Sequence, residues 1–118
     1  MLGDISKANR IYIACGKTDM RMSIDGLAVM IQENFKLNPF ENSLFLFCGG
    51  KTDRLKALYW EGDGFVLLYK RLDNSRFQWP RTHEDVRLIS DQEFRWLLEG
   101  LCIEQPKAVK KVNVSRVI

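Results

Sequence analysis

Apolar residues fall into runs of different period along this chain, and each period predicts an element. Arg10–Ala14 (RIYIA) is a short β-prone run that predicts a strand, left through Cys15-Gly16-Lys17. Ile24, Leu27, Ala28, Ile31 and Phe35 then recur at helical spacing as one stripe, predicting a helix near residues 22–35. Thr18 or Asp19 is its expected cap. Its expected end is near Lys36, because Asn38-Pro39 biases the chain out of the helical region. Ser43–Cys48 (SLFLFC) is continuously apolar but too short for a helix, so a buried strand is predicted.

Gly49-Gly50-Lys51 turns the chain into residues 54–61 and then 65–72, two β-prone runs either side of Glu61-Gly62-Asp63-Gly64. Asp-Gly in that position predicts a hairpin with a type I′ turn, which needs positive φ at both central residues. Alternation puts Arg54, Lys56, Leu58 and Trp60 on one face and Leu55, Ala57 and Tyr59 on the other. In the partner strand Phe65, Leu67, Tyr69 and Arg71 oppose Val66, Leu68, Lys70 and Leu72. Both faces are apolar near the turn and cationic toward the open end. Such a sheet is expected to be covered on one side by helices and on part of the other by a loop, a partner or a ligand.

Asp73-Asn74-Ser75 reads as a polar turn, and Phe77-Gln78-Trp79-Pro80 as an extended or edge segment, since proline cannot donate to a ladder. Val86–Ile89 predicts a further short strand. Ser90 followed by Glu93 is a capping box that opens a helix over 91–99, with Phe94, Leu97, Leu98 and Leu101 on one face. Together these elements predict an α+β domain over residues 1–106. Its sheet is an antiparallel meander of about four or five strands, packed by two helices. The basic, valine-rich segment 107–118 is set apart as a tail, either an arm or a late edge strand.

Composition narrows the function classes. A chain of 118 residues with a formal charge of +3 is one soluble globular domain by size and composition. Its apolar runs are too short to span a bilayer and no signal peptide is evident, so the cytoplasm is the expected compartment. Cys15, Cys48 and Cys102 are odd in number and form no C-x-x-C pattern, which fits three reduced, inert thiols. The charge is uneven. Residues 51–81 hold seven cations (Lys51, Arg54, Lys56, Lys70, Arg71, Arg76 and Arg81) against four acids, residues 82–106 are net acidic, and the tail carries four cations and no acid.

Cations threaded among aromatics are what a nucleic-acid platform uses, and also what a hairpin with a solvated face looks like. On the first reading those seven cations contact phosphates, and Trp60, Tyr69, Phe77 or Trp79, with Tyr59 beside them, stack on unpaired bases. On a second reading Trp60, Trp79 and Arg76 are interaction hot spots on a protein-docking surface. Catalysis is the least supported class, and the chain is read as no enzyme. A cysteine nucleophile such as Cys48 would depend on the single histidine, His83, as base. Asp19 and Asp25 lack an obvious third acid for a metal pair. No glycine spacing matches a nucleotide loop, and Glu61–Gly64 is too short for a calcium loop, so no cofactor and no metal are expected.

The order of short motifs has a familiar form. Cys15-Gly16, Thr18-Asp19-Met20-Arg21, Ile24-Asp25-Gly26-Leu27, Pro39-Phe40, Leu44-Phe45 and Phe47 are followed by Asp53-Arg54, Lys56, Leu58-Tyr59-Trp60, Gly62, Gly64, Tyr69-Lys70-Arg71-Leu72, Phe77 and Trp79-Pro80. From about Ile11 to Leu101 this resembles the accessory-protein family, called TnpB or Orf2, of bacterial transposons of the insertion sequence 66 group. The resemblance implies a non-catalytic part in DNA transposition, with a separate transposase cutting and joining. The implied partners are that transposase and transposon DNA; the alternative is docking on the transposase with no direct DNA contact. Family members often carry several arginines where this chain has Cys48-Gly49-Gly50-Lys51-Thr52, which weakens a DNA-contact reading of that loop.

Overall fold

A computed structural model describes residues 8–103. The elements run β1 (Arg10–Ala14), α1 (Ile24–Glu33), β2 (Ser43–Cys48), β3 (Arg54–Trp60), β4 (Phe65–Arg71), β5 (Val86–Ile89) and α2 (Asp91–Leu98). The five strands make one sheet in the order β4-β3-β2-β1-β5. The α+β class is as expected, and β2-β3-β4 is the antiparallel meander. One pair departs from it: β1 and β2 run parallel, Ile11 beside Leu44 and Ile13 beside Leu46, joined through α1 as a βαβ unit. β5 closes the far side antiparallel to β1.

Alternation along the strands builds two cores. On one face, the side chains of Phe45, Phe47 and Leu58 pack under Leu27 and Ile31 of α1. On the other, Ile13, Leu46, Cys48, Leu55 and Ala57 pack with Phe77, Trp79, Ile103 and Leu97 of α2. The helices, expected together on one side of the sheet, therefore lie on opposite faces, and β2, buried at every position, is the shared middle layer. Each fully buried Leu or Ile contributes about 1.5–3 kcal/mol. Segment 77–79, expected as an extended or edge segment, pairs with no strand among the described residues; it crosses the α2 face and feeds two aromatic rings into the core.

Local details shift the predicted boundaries. The N-cap of α1 is Ser23, which makes no side-chain cap bond, and Thr18 and Asp19 belong to a preceding loop instead. That helix stops at Glu33, before the expected Lys36, which adopts a left-handed φ of 56° as the chain leaves. The hairpin turn is offset by one residue: Gly62 alone has positive φ (97°), and the Glu61 N–H donates to the Gly64 carbonyl (2.8 Å). The positive φ thus falls on the first central residue, where a type II′ turn places glycine. The Ser90–Glu93 capping box forms as predicted, with both reciprocal bonds present at 2.9 and 3.1 Å. The 107–118 tail lies outside the described residues.

Candidate nucleic-acid interface

The open end of the β3–β4 hairpin is where loops converge. The Thr18 N–H donates to the Cys48 carbonyl (2.9 Å), that of Leu72 to Asp53 (2.8 Å) and that of Phe77 to Thr52 (2.8 Å). Thr52 sits at φ 58°, an outlier for a β-branched residue that costs on the order of 1–3 kcal/mol and is retained only where neighbours fix it. Gly49 lies under Met20: a Cβ there would come within 2.7 Å of the Met20 side chain. Backbone bonds and close packing thus hold the 49–53 loop.

The seven predicted cations separate into two groups. Lys56 Nζ donates to the carbonyls of Met20 and Met22, 2.7 Å each, fastening the 18–22 loop to β3. Arg81 donates to the carbonyls of Gly49 (2.7 Å) and Cys15 (3.4 Å), tying two strand exits together. These two are committed to the fold. Lys51, Lys70, Arg71 and Arg76 are exposed, and Arg54 is half-buried. Pairing sets Arg54 directly opposite Arg71 on the α1 face, whereas Lys70 projects from the other face. A cation on an edge strand discourages a second sheet from pairing there, and that alone explains Lys70 and Arg71. It does not explain Arg54, which is on an inner strand. Like charges directly opposite destabilise a sheet, in a range where cross-strand pairs count for about 0.2–1 kcal/mol. Among the described residues Arg54 is also poorly neutralised: its ion pair with Asp53 is long (3.9 Å), and its buried Nε has no hydrogen-bond partner there.

Phe77 and Trp79 are 2% and 7% exposed, and Trp79 Nε1 donates to the buried Ala14 carbonyl (2.7 Å). Removing such rings from a core costs about 3–5 kcal/mol, against roughly 1–3 kcal/mol for stacking on a base. Folding accounts for both rings, and neither is available as a platform. Tyr59 is buried too, its hydroxyl 2.6 Å from Asn42 Oδ1. Trp60 packs edge-on against Phe65 (centroids 4.8 Å) and Phe40 (5.1 Å) at the closed end of the hairpin. Phe40, 49% exposed, stands in the sequence only within the Pro39-Phe40 motif and not as a site candidate, because a residue after proline in a loop has no period to flag it. Tyr69 is different: 55% exposed, on the Arg54–Arg71 face, with Lys56 Nζ 5.7 Å from its ring centre.

Two titrating groups refine the charge map. Asp19 is held down at about 2 by Arg21, whose guanidinium donates to both carboxylate oxygens and whose N–H donates to Oδ1. At neutral pH that pair is internally neutralised, so Arg21, although 91% exposed, adds little free positive charge. Burial pushes the Cys48 thiol up to about 11, against the pull of Arg81. A thiol so placed is protonated at neutral pH and is a poor nucleophile. Among the described residues no group of three or more His, Cys, Asp or Glu comes together, and no helix is long and apolar enough to cross a membrane.

Comparison with known proteins agrees with this fold's motif order. The model of the IS66 Orf2-like proteins matches residues 9–108. The chain belongs to that family. Membership ties it to the reading frames of insertion sequences and so to their transposition. Two relatives come from Sinorhizobium fredii (strain NBRC 101917 / NGR234). Uncharacterized protein y4hO is 40% identical over 98 residues, covering 83% of this chain and 85% of that protein. Uncharacterized protein y4jC is 30% identical over 96 residues, covering 81% and 82%. No solved structure matches the chain.

Proposed function

We propose that this chain is a non-catalytic accessory protein of insertion-sequence transposition, acting in the cytoplasm by gripping the DNA backbone at the open end of the β3–β4 hairpin. Lys51, Arg54, Arg71 and Arg76 are the contacting residues, with Lys70 reaching from the edge. One observation carries this reading: Arg54 and Arg71 face each other across neighbouring strands, with only a long contact from Asp53 to Arg54 among the described residues. A phosphate between two guanidiniums would turn that repulsion into paired, charge-assisted bonds. The strained but well-fastened 49–53 loop keeps this end in place.

Charge reversal tests it. Each lost phosphate contact should lower the steepness of the log affinity against log salt plot by about one. The Arg54→Glu/Arg71→Glu double variant, which loses the one phosphate the pair shares, is therefore expected to lose about one unit of slope and at least tenfold in affinity for DNA carrying the element's terminal repeats. Arg71→Glu alone, at an exposed position, guards against misfolding. Arg95→Glu on α2 makes the same single charge change elsewhere and should leave the slope intact. Absence of salt-sensitive binding by the parent protein, or an equal loss in the Arg95 control, refutes the reading.

A second reading has its own observation. Phe40, Trp60 and Phe65 form a partly exposed aromatic cluster at the opposite end of the hairpin, suited to docking on the element's transposase. Co-purification with transposase in the absence of DNA, lost in Phe40→Ala, would favour it.

A further inference from the structure

The cation pair marks where a backbone would be held, and the residue beside it indicates the form of DNA. On the α1 face of β4, Phe65 and Leu67 pack against the α1 core, and β4 emerges as Tyr69 and Arg71. The face of β3 beside them carries Lys56 and Arg54. Tyr69 therefore lies on the open sheet surface, one step along its strand face from Arg71 and directly across from Lys56. Ordinary folding gives little reason for an aromatic ring at that place, since it buries less than half its surface.

Lys56 makes the ring's position more specific. Its ammonium is locked by two carbonyls of the 18–22 loop and stands 5.7 Å from the ring centre. A cation fixed in that way steadies the ring through its π electrons. The ring lies next to Arg71 on its own strand face and diagonal to Arg54 on the neighbouring strand. An aromatic surface next to a phosphate grip is the arrangement that holds a single strand, where an unstacked base can lie on the ring while its phosphate is neutralised. A duplex would present the same phosphates, but its bases are stacked on one another and do not reach the ring.

We infer that Tyr69, backed by Lys56 and flanked by Arg54 and Arg71, is a stacking subsite for an unpaired base, so that this surface prefers single-stranded to duplex DNA. The inference rests on the DNA-gripping reading above and adds to it a substrate class. Asp53 lies beside Arg54 and opposes an anion at the loop side. The base is therefore expected over Tyr69, with its phosphate nearer Arg71 than Asp53.

The test is a competition between a single-stranded oligodeoxynucleotide and the duplex of the same sequence, at one salt concentration. Tyr69→Ala should weaken single-strand binding by about 5- to 150-fold, the range for loss of one stacked base. Duplex binding should change less than twofold, and Tyr69→Phe and Tyr69→Trp should keep single-strand affinity. If Arg71→Glu weakens both forms while Tyr69→Ala weakens neither, the backbone grip stands and the stacking subsite is wrong. Equal weakening of both forms by Tyr69→Ala also overturns it. If the parent protein binds neither form in a salt-sensitive way, both readings fall together.

Discussion

Lys56 and Lys70 lie on neighbouring strands of one hairpin, yet their surroundings give them different roles. Lys56 has spent two of its donors on the Met20 and Met22 carbonyls, whereas Lys70 projects from the edge into solvent. Sequence shows both as cations at alternating positions and cannot show which has found an acceptor, because those acceptors are backbone atoms of a distant loop. The cysteines divide in the same way. Cys48 and Cys15 are fully buried, and burial raises the Cys48 thiol to about 11, while Cys102 is exposed with its thiol near Gln78 Oε1. A maleimide at neutral pH should therefore label Cys102 in the native protein and reach Cys15 and Cys48 only on unfolding, as peptide mass mapping would report. Labelling of native Cys48 at the rate of an exposed thiol would contradict the assignment.

At the scale of elements, periodic segments were the legible ones. The α1 stripe, the alternation in β3 and β4, and the Ser90–Glu93 box each have a local signal, and each forms. The parallel β1–β2 pair had no local signal; it lay in the strand–helix–strand order of residues 10–48, since a helical crossover returns the chain parallel. Phe77-Gln78-Trp79 did offer a clue: apolar, polar, apolar is the alternation of a strand with one buried face, and Gln78 is the residue left outside. Loop 18–22 is held to β3 largely through Lys56, so Lys56→Ala should remove charge-assisted bonds and leave two carbonyls unpaired. A loss of about 1.5–3 kcal/mol in urea unfolding is expected, against no more than about 0.5 kcal/mol for Lys70→Ala. Equal, small effects would show that the loop does not depend on that lysine.

For the whole molecule, the three layers explain why function is argued at one end of a hairpin. Both faces of the sheet are largely covered, by α1 on one side and by α2 with the 77–79 segment on the other. Among the described residues, what stays most exposed at the two ends of the β3–β4 hairpin is the cationic open end with Tyr69, and the Phe40–Trp60–Phe65 cluster at the closed end. Family membership sets the context of transposition, but only the register of β3 against β4 brings Arg54 opposite Arg71. The central claim is thus about place, and nitrogen-15 amide shift mapping during titration with a single-stranded oligodeoxynucleotide tests it most directly. The account predicts that perturbed amides cluster at Lys51, Arg54, Tyr69, Lys70, Arg71 and Arg76, with the closed end unmoved. Perturbations centred on Phe40, Trp60 and Phe65, or no perturbation at low salt, would contradict it.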